Sequence, residues 1–544
     1  ATPYNATRLS GDTAAKTNVN FQQDGSSDFN RYGVEAGIGL DWTLPKKNSL
    51  NFALSSNHFG NNSTGYLNQN QTTTDYSSNI LSQILTLSNS NSHFRINEIN
   101  TSLDYKKVFN KEDQELDFGV HSTFGSNDYK SGNEQYSLPE QALFYGTSSD
   151  NPGKESETEL VVDYTEPFGK IKFGAGGKAF FRNINSNSDV LGLQPYSKQY
   201  SYDSTLSNSL HYTQQVYAVY TELGFPVGKL FETKLGLRYE RTELSTFFSN
   251  ASQQVPEPGY NTWLPSVFFI KKFENQSLKL SFGRRIERPN YRNLNPFINT
   301  TDPNNVTTGN PYLKPEQGYR IELGWTHELK GGGTFMVSLF DRINQDDIQP
   351  YVVYYAQLPV GDTVYKNVSV STPQNIGTET NIGMNLFADI HPTTKFSLRS
   401  NFFMFHRNIV NAIDPGLNSE SWNYRFNINL TYAFSGNLGA EFFGNFNSPR
   451  HELQGKYPSF TSYTFAIRQQ IWKKKGSIAF TTNNPFNEYV NQTTHITGIG
   501  FSTTSTRLVP YRSFGINFTW KFGKLEFKKE KPSNPDMNTP NGEG

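Results

Sequence analysis

Trp422-Asn423-Tyr424-Arg425-Phe426-Asn427-Ile428-Asn429-Leu430-Thr431-Tyr432-Ala433-Phe434 alternates along its whole length. Its even positions are aromatic or aliphatic. Its odd positions are Asn423, Arg425, Asn427, Asn429, Thr431 and Ala433. Side chains of a strand point to opposite faces with period two, so this segment reads as a strand with one apolar and one polar face. A soluble sheet with one wet face alternates in the same way. Aromatic residues at both ends of the apolar face add the interfacial belts of a membrane wall. The scheme recurs in Phe514, Ile516, Phe518, Trp520 and Phe522, in Ile382, Met384, Leu386, Ala388 and Ile390, and in Tyr319, Ile321, Leu323 and Trp325. Such strands exceed the usual globular length of about 5 to 6 residues. They suffice to cross a bilayer, for which about 9 to 11 tilted residues are needed.

The connections between these segments are unequal. Nine are very short: Leu44 to Asn48, Asn110 to Asp113, Pro167 to Lys170, Pro226 to Lys229, Phe273 to Gln276, Lys330 to Gly333, His391 to Lys395, Ser435 to Asn437 and Trp472 to Gly476. Most use Pro, Gly or Asn for the backbone angles of a reverse turn. The links that lead the other way are mostly long, near 59–92, 129–154, 185–211, 247–259, 289–316, 346–376, 408–420, 450–459 and 486–508. Tight turns on one side and long polar loops on the other are the pattern of a transmembrane β-barrel. The expected fold is therefore all-β, an antiparallel transmembrane barrel of about twenty strands over residues 1–522, beginning with strands at 16–24 and 31–43 joined by a short link near 25–30. Residues 523–544 are rich in Lys, Glu, Pro and Asn, and read as a disordered periplasmic tail.

Composition removes several competitors. The chain has 544 residues and no cysteine, so disulfide scaffolds and thiolate metal sites are excluded. Hydrophobic residues make up 35 % and mean hydropathy is −0.63, which would be too polar for a bundle of spanning helices. A barrel resolves the contradiction, because only every second wall residue meets lipid. The 43 Phe and 30 Tyr suit girdles at the two interfaces. Formal charge is zero, so no global field attracts nucleic acid. No secretory signal follows Ala1, and the chain reads as mature, processed or truncated.

One region carries a denser set of motifs. Leu264-Pro265-Ser266 opens a strand, Arg284-Arg285-Ile286-Glu287-Arg288-Pro289 ends the next, and Leu294-Asn295-Pro296-Phe297 and Gly309-Asn310-Pro311-Tyr312-Leu313-Lys314-Pro315-Glu316 follow in the loop. This series resembles the C-terminal barrel of TonB-dependent outer-membrane receptors. Gln215 to Leu223 and Leu235 to Glu240 resemble strands of the same family, especially its Bacteroidetes-type branch. The resemblance implies a multi-pass protein of the bacterial outer membrane, with surrounding lipid and the TonB complex as partners. It also implies 22 strands, a globular plug and an N-terminal TonB box. Neither plug nor box is present, and the count falls one hairpin short, as expected of a chain that begins after the first hairpin. The prolines would fix the loop's path between two strands. Arg284, Arg285 and Arg288 are expected to face the lumen and pair with Glu287, Glu316 or Glu322, with substrate or plug contact as the alternatives.

Catalysis finds no support in the sequence. The nine His include His451 and His495 in predicted loops, and none sits at the i, i+4 spacing of a metal helix. Gly174-Ala175-Gly176-Gly177 falls inside a strand, and no Gly-x-Ser-x-Gly occurs. Asp346-Asp347 reads as a solvated turn, with a cation site as the sharper alternative. No catalytic residue, cofactor or metal is expected. Three functions suit such a wall: energy-coupled uptake of a metal chelate or oligosaccharide, a scaffold for surface lipoproteins or other outer-membrane subunits, and a passive pore.

Overall fold

The computed structural model describes residues 1–194, 196–249, 259–299, 302–329, 331–360 and 363–521. The expected tail, 523–544, lies outside these. The described residues form 26 strands in one sheet. In chain order they are β1 (Thr2–Asp12), β2 (Thr17–Thr43), β3 (Ser49–Asp75), β4 (Ile80–Val108), β5 (Glu115–Ser137), β6 (Ala142–Phe168), β7 (Ile171–Leu193), β8 (Tyr200–Tyr202), β9 (Asn208–Val227), β10 (Phe231–Phe248), β11 (Tyr260–Lys272), β12 (Gln276–Glu287) and β13 (Asn305–Thr307). There follow β14 (Glu316–Glu328), β15 (Gly333–Val360), β16 (Thr363–Thr393), β17 (Phe396–Asn411), β18 (Ser419–Ala433), β19 (Leu438–Asn447), β20 (Arg450–Glu452), β21 (Gly455–Tyr457), β22 (Thr461–Ile471), β23 (Gly476–Asn483), β24 (Tyr489–Gly498), β25 (Phe501–Pro510) and β26 (Ser513–Trp520). A single helical turn, α1 (Tyr291–Leu294), precedes β13.

The short turns lie where the sequence places them, Lys330 of the sixth falling outside the described residues, and every strand except β1, β8, β13, β20, β21, β24 and β25 reaches that end. The long connections differ from expectation. Most are not loops: β3 and β4 pair from Ser49–Lys106 up to Thr74–Ile80, and β15 and β16 pair from Gly333–Ile390 up to Val360–Thr363. The hairpins continue past the membrane as paired strand, their Asn-, Ser- and Thr-rich backbones interrupted only by local bulges such as those at Thr73/Thr74 and Gln345/Asp347. The expected link at 25–30 is likewise strand. β2 runs unbroken from Thr17 to Thr43, and the strand that precedes it is β1, which pairs with its upper half from Thr2–Ser27 to Asp12–Thr17. The expected count of about 20, or 22, is replaced by 26 strands, because short outer strands add to those that cross. Among the described residues, the stretch of β2 beyond Ser27 pairs only with β3, and β26 only with β23.

The wall faces as its alternation dictates. Along β18, Trp422, Tyr424 and Tyr432 are exposed on the outer face, whereas Asn423 on the inner face is buried. Ten residue steps from Trp422 to Tyr432 rise about 33 Å along the strand, or about 25 Å along the membrane normal at a tilt near 40°, the height of the apolar band of such barrels. Paired rings mark both rims. Tyr239 and Trp263 lie 4.8 Å apart and His406 and Trp422 5.1 Å apart at the upper one; Trp472 and Trp520 lie 6.0 Å apart at the lower. Much of the inner face carries paired charge: Lys178 with Glu159 (2.5 Å), Lys234 with Glu222 (2.8 Å), Arg399 with Asp389 (2.7 Å) and Arg468 with Glu441 (3.0 Å).

The buried apolar clusters sit at the outer mouth. One joins Ile184, Leu210, Tyr212 and Phe248 of the wall to Leu294 and Leu313. A second joins Val190 and Leu206 to Val306, Val360, Tyr365 and Val368. A third holds Ile376, Ile409 and Leu453. The first two share the segment between β12 and β14, which therefore folds inward across the mouth.

Candidate functional site

That segment contains most of the motif residues, and its geometry is that of a clasp. Asn290 caps α1, its side-chain oxygen accepting from the Arg292 N–H at 3.0 Å. The chain then doubles back. Gly309 N–H donates to the Asn295 carbonyl at 2.9 Å, and Asn310 N–H to the Asn293 carbonyl at 2.6 Å. A Cβ on Gly309 would stand 2.3 Å from the Asn295 oxygen, so only glycine lets the strands of the clasp approach. Asn295 is anchored further by Asn208, whose amide donates to its side-chain oxygen at 2.8 Å, and Phe297 packs in the second cluster. Thr308 donates to the Pro296 carbonyl at 3.0 Å. The Asn310 amide reaches Pro373 and Gln374 of β16, each at 3.2 Å. Pro289, Pro311 and Pro315 bracket this path, and the Glu316 carboxylate accepts from the Ile348 N–H at 2.9 Å.

Arg8 of β1, 2 % exposed, pins the clasp from the opposite side of the mouth. Its guanidinium donates to the Asn304 carbonyl (2.8 Å), the Asn305 side-chain oxygen (3.1 Å), the Ser369 hydroxyl (2.6 Å) and the Asn367 carbonyl. β13 adds a parallel pairing with β16, Asn305 opposite Ser369. Sequence reasoning missed Arg8; a lone arginine in an N-terminal strand carries no local signal of its distant partners.

The motif arginines separate. In the register of β12 with β14, Leu278, Leu280, Phe282 and Arg284 stand opposite Trp325, Leu323, Ile321 and Tyr319 on the outer face. The expectation that Arg284 faces the lumen is thus corrected: it lies over the Tyr319 ring at 5.6 Å. Arg285, one residue on, faces inward. Arg288 pairs at 2.5 Å with Glu240 of β10, which also holds Arg238 at 2.6 Å, rather than with Glu287, Glu316 or Glu322. Glu322 is bonded to Arg320 instead.

A second network, buried at Arg407, Glu379 and Glu452, joins β16 and β17 to β20. Arg407 binds Glu379 (2.9 Å) and Glu452 (3.1 Å), and Arg450 binds Glu452 at 2.6 Å. Asp347, expected in a solvated turn, is buried in β15 at a bulge above the membrane, where Gln349 donates to it at 2.7 Å. Burial, and then the charge of Glu379, push its carboxyl up to about 7. His451 and His495 lie in β20 and β24 rather than in loops. Among the described residues no group of three or more His, Asp or Glu side chains could hold a metal ion.

Inside the wall lies a chamber of about 1100 Å³. Asn385, Asn401, Phe403, Phe405, Asn423, Arg425 and Asn427 of β16 to β18 form one side with Arg342 of β15. Tyr4, Gln492, Ser505 and Arg507 of the β1, β24 and β25 sheet form the facing side, with Arg450 and Tyr457 above. The volume lies just above the range of about 300 to 1,000 Å³ usual for small-molecule sites. Its charged lining consists of arginines.

The sequence profile of the Outer membrane protein beta-barrel family matches residues 127–520. No curated protein matches the chain. Among solved structures it is similar to the copper transporter OprC (12 % identity, TM-score 0.55, covering 93 % of this chain and 80 % of that one). It is similar also to FpvA of P. aeruginosa bound to heterologous pyoverdines (11 %, 0.53, 93 % and 71 %) and to the ferric yersiniabactin uptake receptor FyuA of Yersinia pestis (11 %, 0.52, 93 % and 80 %). At such identities the likeness is one of fold.

Proposed function

The chain belongs to the outer membrane protein beta-barrel family and resides in the outer membrane, and from that premise we propose that it is the wall of a TonB-dependent receptor that takes up a scarce small molecule through its lumen. The observation that carries this reading is the open chamber of about 1100 Å³ between the wall and the outer hairpins, in a wall whose mouth also carries a pinned, inward-folded segment. A scaffold needs no such chamber, and a passive pore has no use for a clasped mouth. Energy coupling would act through a plug contacted by TonB, and the strand segments Gln215 to Leu223 and Leu235 to Glu240 support placement in the Bacteroidetes-type branch.

Depletion of solutes from the medium by cells with and without the gene tests it. Uptake that depends on the gene and disappears when a protonophore collapses the membrane gradient supports the receptor. Gene-dependent uptake indifferent to the protonophore would show a pore. Gene loss that changes no solute but releases a surface lipoprotein would show a scaffold.

A further inference from the structure

Charges on the inner wall are paired at many positions, yet three of the four arginines that line the chamber are not. Arg342, Arg425 and Arg507 form no ion pair among the described residues, and Arg450 shares Glu452 with Arg407. No carboxylate is among the lining residues. Arg320, the direct cross-strand neighbour of Arg342, is bonded to Glu322 and so leaves Arg342 without that carboxylate as a partner. The guanidinium of Arg342 lies 4.6 Å from the centre of the Phe340 ring and 5.3 Å from that of Phe403, and these two rings are stacked 4.9 Å apart. Arg450 lies likewise 5.4 Å from the Tyr457 ring. A guanidinium seated beside aromatic rings and outside any ion pair keeps its N–H fork available for bidentate contact with anionic oxygens.

Like charges gathered in a cavity repel one another and stabilise nothing in the empty protein; their favourable partner is an anion. Amide side chains at Asn385, Asn401, Asn423 and Asn427 supply neutral hydrogen bonds between the charges, and Phe403, Phe405 and Phe460 supply ring faces.

We propose that the chamber binds a multiply anionic small molecule that carries a flat ring, its oxygens held by Arg342, Arg425 and Arg507 and its ring lying against the aromatic lining. This rests on the uptake reading above and narrows it, setting neutral oligosaccharides aside.

Titration calorimetry on the purified full chain in detergent tests it with two probes, the trianion 8-hydroxypyrene-1,3,6-trisulfonate and the neutral sugar maltotetraose. The trisulfonate binds once per chain and weakens as salt is raised. Arg342→Gln and Arg425→Gln each weaken it at least tenfold, while Arg399→Gln, at a paired lumen arginine outside the chamber, leaves it within twofold. A variant that no longer shows the heat-modifiable mobility of a folded barrel is replaced by Arg507→Gln, which sits on the facing hairpin. Binding of maltotetraose but not of the trisulfonate, or trisulfonate binding indifferent to all three chamber substitutions, would overturn the proposal. The two readings fail separately. Trisulfonate binding without energy-dependent uptake of any anion by cells removes the receptor and keeps the site, whereas energy-dependent uptake of neutral solutes with no anion binding does the reverse.

Discussion

Replacing Arg8 with Met keeps most of the apolar stem and deletes the guanidinium that pins the mouth. Four hydrogen bonds go: those to the Asn304 and Asn367 carbonyls, the Asn305 side chain and the Ser369 hydroxyl. Bonds to a charged group contribute roughly 1.5 to 3 kcal/mol each, and burying a guanidinium costs several kcal/mol, so the net is about 3 kcal/mol. That is about a hundredfold in the equilibrium between the docked and released segment. The wall should be indifferent, since Arg8 enters its ladders, opposite Phe21 and Thr503, through backbone groups that the substitution leaves in place. Hydrogen exchange reads this locally. The amides of Asn305, bonded to the Asp302 carbonyl at 3.0 Å, of Thr308, bonded to Ser371 at 3.1 Å, and of Ser369, bonded to Asn304 at 3.0 Å, should lose about a hundredfold in protection, while those of β12 and β14 keep theirs. Protection at these three amides within threefold of the native value would refute the pin. Loss of protection throughout the wall would show that Arg8 supports the whole barrel instead.

Gly309→Ala should open the clasp at a cost of about 1 to 3 kcal/mol, because the new Cβ meets the fixed carbonyls of Asn295 and Asn293 at 2.3 and 2.7 Å; limited proteolysis between Asn290 and Lys314 should quicken at least tenfold. Leu386→Arg on the lipid face should destabilise the barrel by about 2 to 4 kcal/mol, whereas Asn385→Arg, one residue away on the lumen face, should change it by less than about 1 kcal/mol; urea titration of vesicle-folded protein compares them, and equal losses would deny the assigned faces. Asp347 has a carboxyl raised to about 7, above its unfolded value near 4. Stability from this site is therefore full below about pH 4 and is lost as pH rises through about 7. Docking of the β20 and β21 hairpin, followed by labelling a cysteine placed at Lys456 in a chain with none of its own, should loosen between pH 5 and 8 in the native protein relative to Asp347→Asn, and an unchanging ratio would count against a raised carboxyl.

Wall and turns could be read from the sequence because each is a local property. Period two fixes which residues share a face, and Gly169, Gly228 and Gly332 take the positive φ that their short turns need. The outer hairpins were misread for an equally physical reason. Beyond the lipid neither face needs to be apolar, so Asn61-Asn62-Ser63-Thr64 in β3 has the composition of a loop while its backbone pairs with β4. Gly25-Ser26-Ser27-Asp28 has turn chemistry too, yet continues as strand because β1 and β3 flank it. The error at Arg284 was avoidable. Adjacent residues of one strand cannot both face the lumen, and counting by twos from Leu278 through Phe282 puts Arg284 outside and Arg285 inside.

The chamber was not legible, and alternation explains why. It assigns Arg342 and Arg425 to the lumen separately, but a barrel lumen is lined by charge at every height, so the assignment alone does not make them neighbours. What unites them is register. Phe340, two residues from Arg342 on the same face, stacks on Phe403, which pairs directly with Arg425 across β17 and β18. Arg507 arrives from a strand far along the chain, because β25 pairs with β1 opposite Tyr4. Register is set by turn lengths and bulges, such as the one between Gln345 and Asp347, and a change of a single residue there would slide one strand against the next. The clasp shows the complementary case. Its Asn, Pro and Gly residues are conspicuous in the sequence because each meets a local backbone demand, and the structure uses them to narrow the mouth. The residues that stood out are thus the ones that shape the entrance, while the arginines whose charge chooses what enters were individually ordinary.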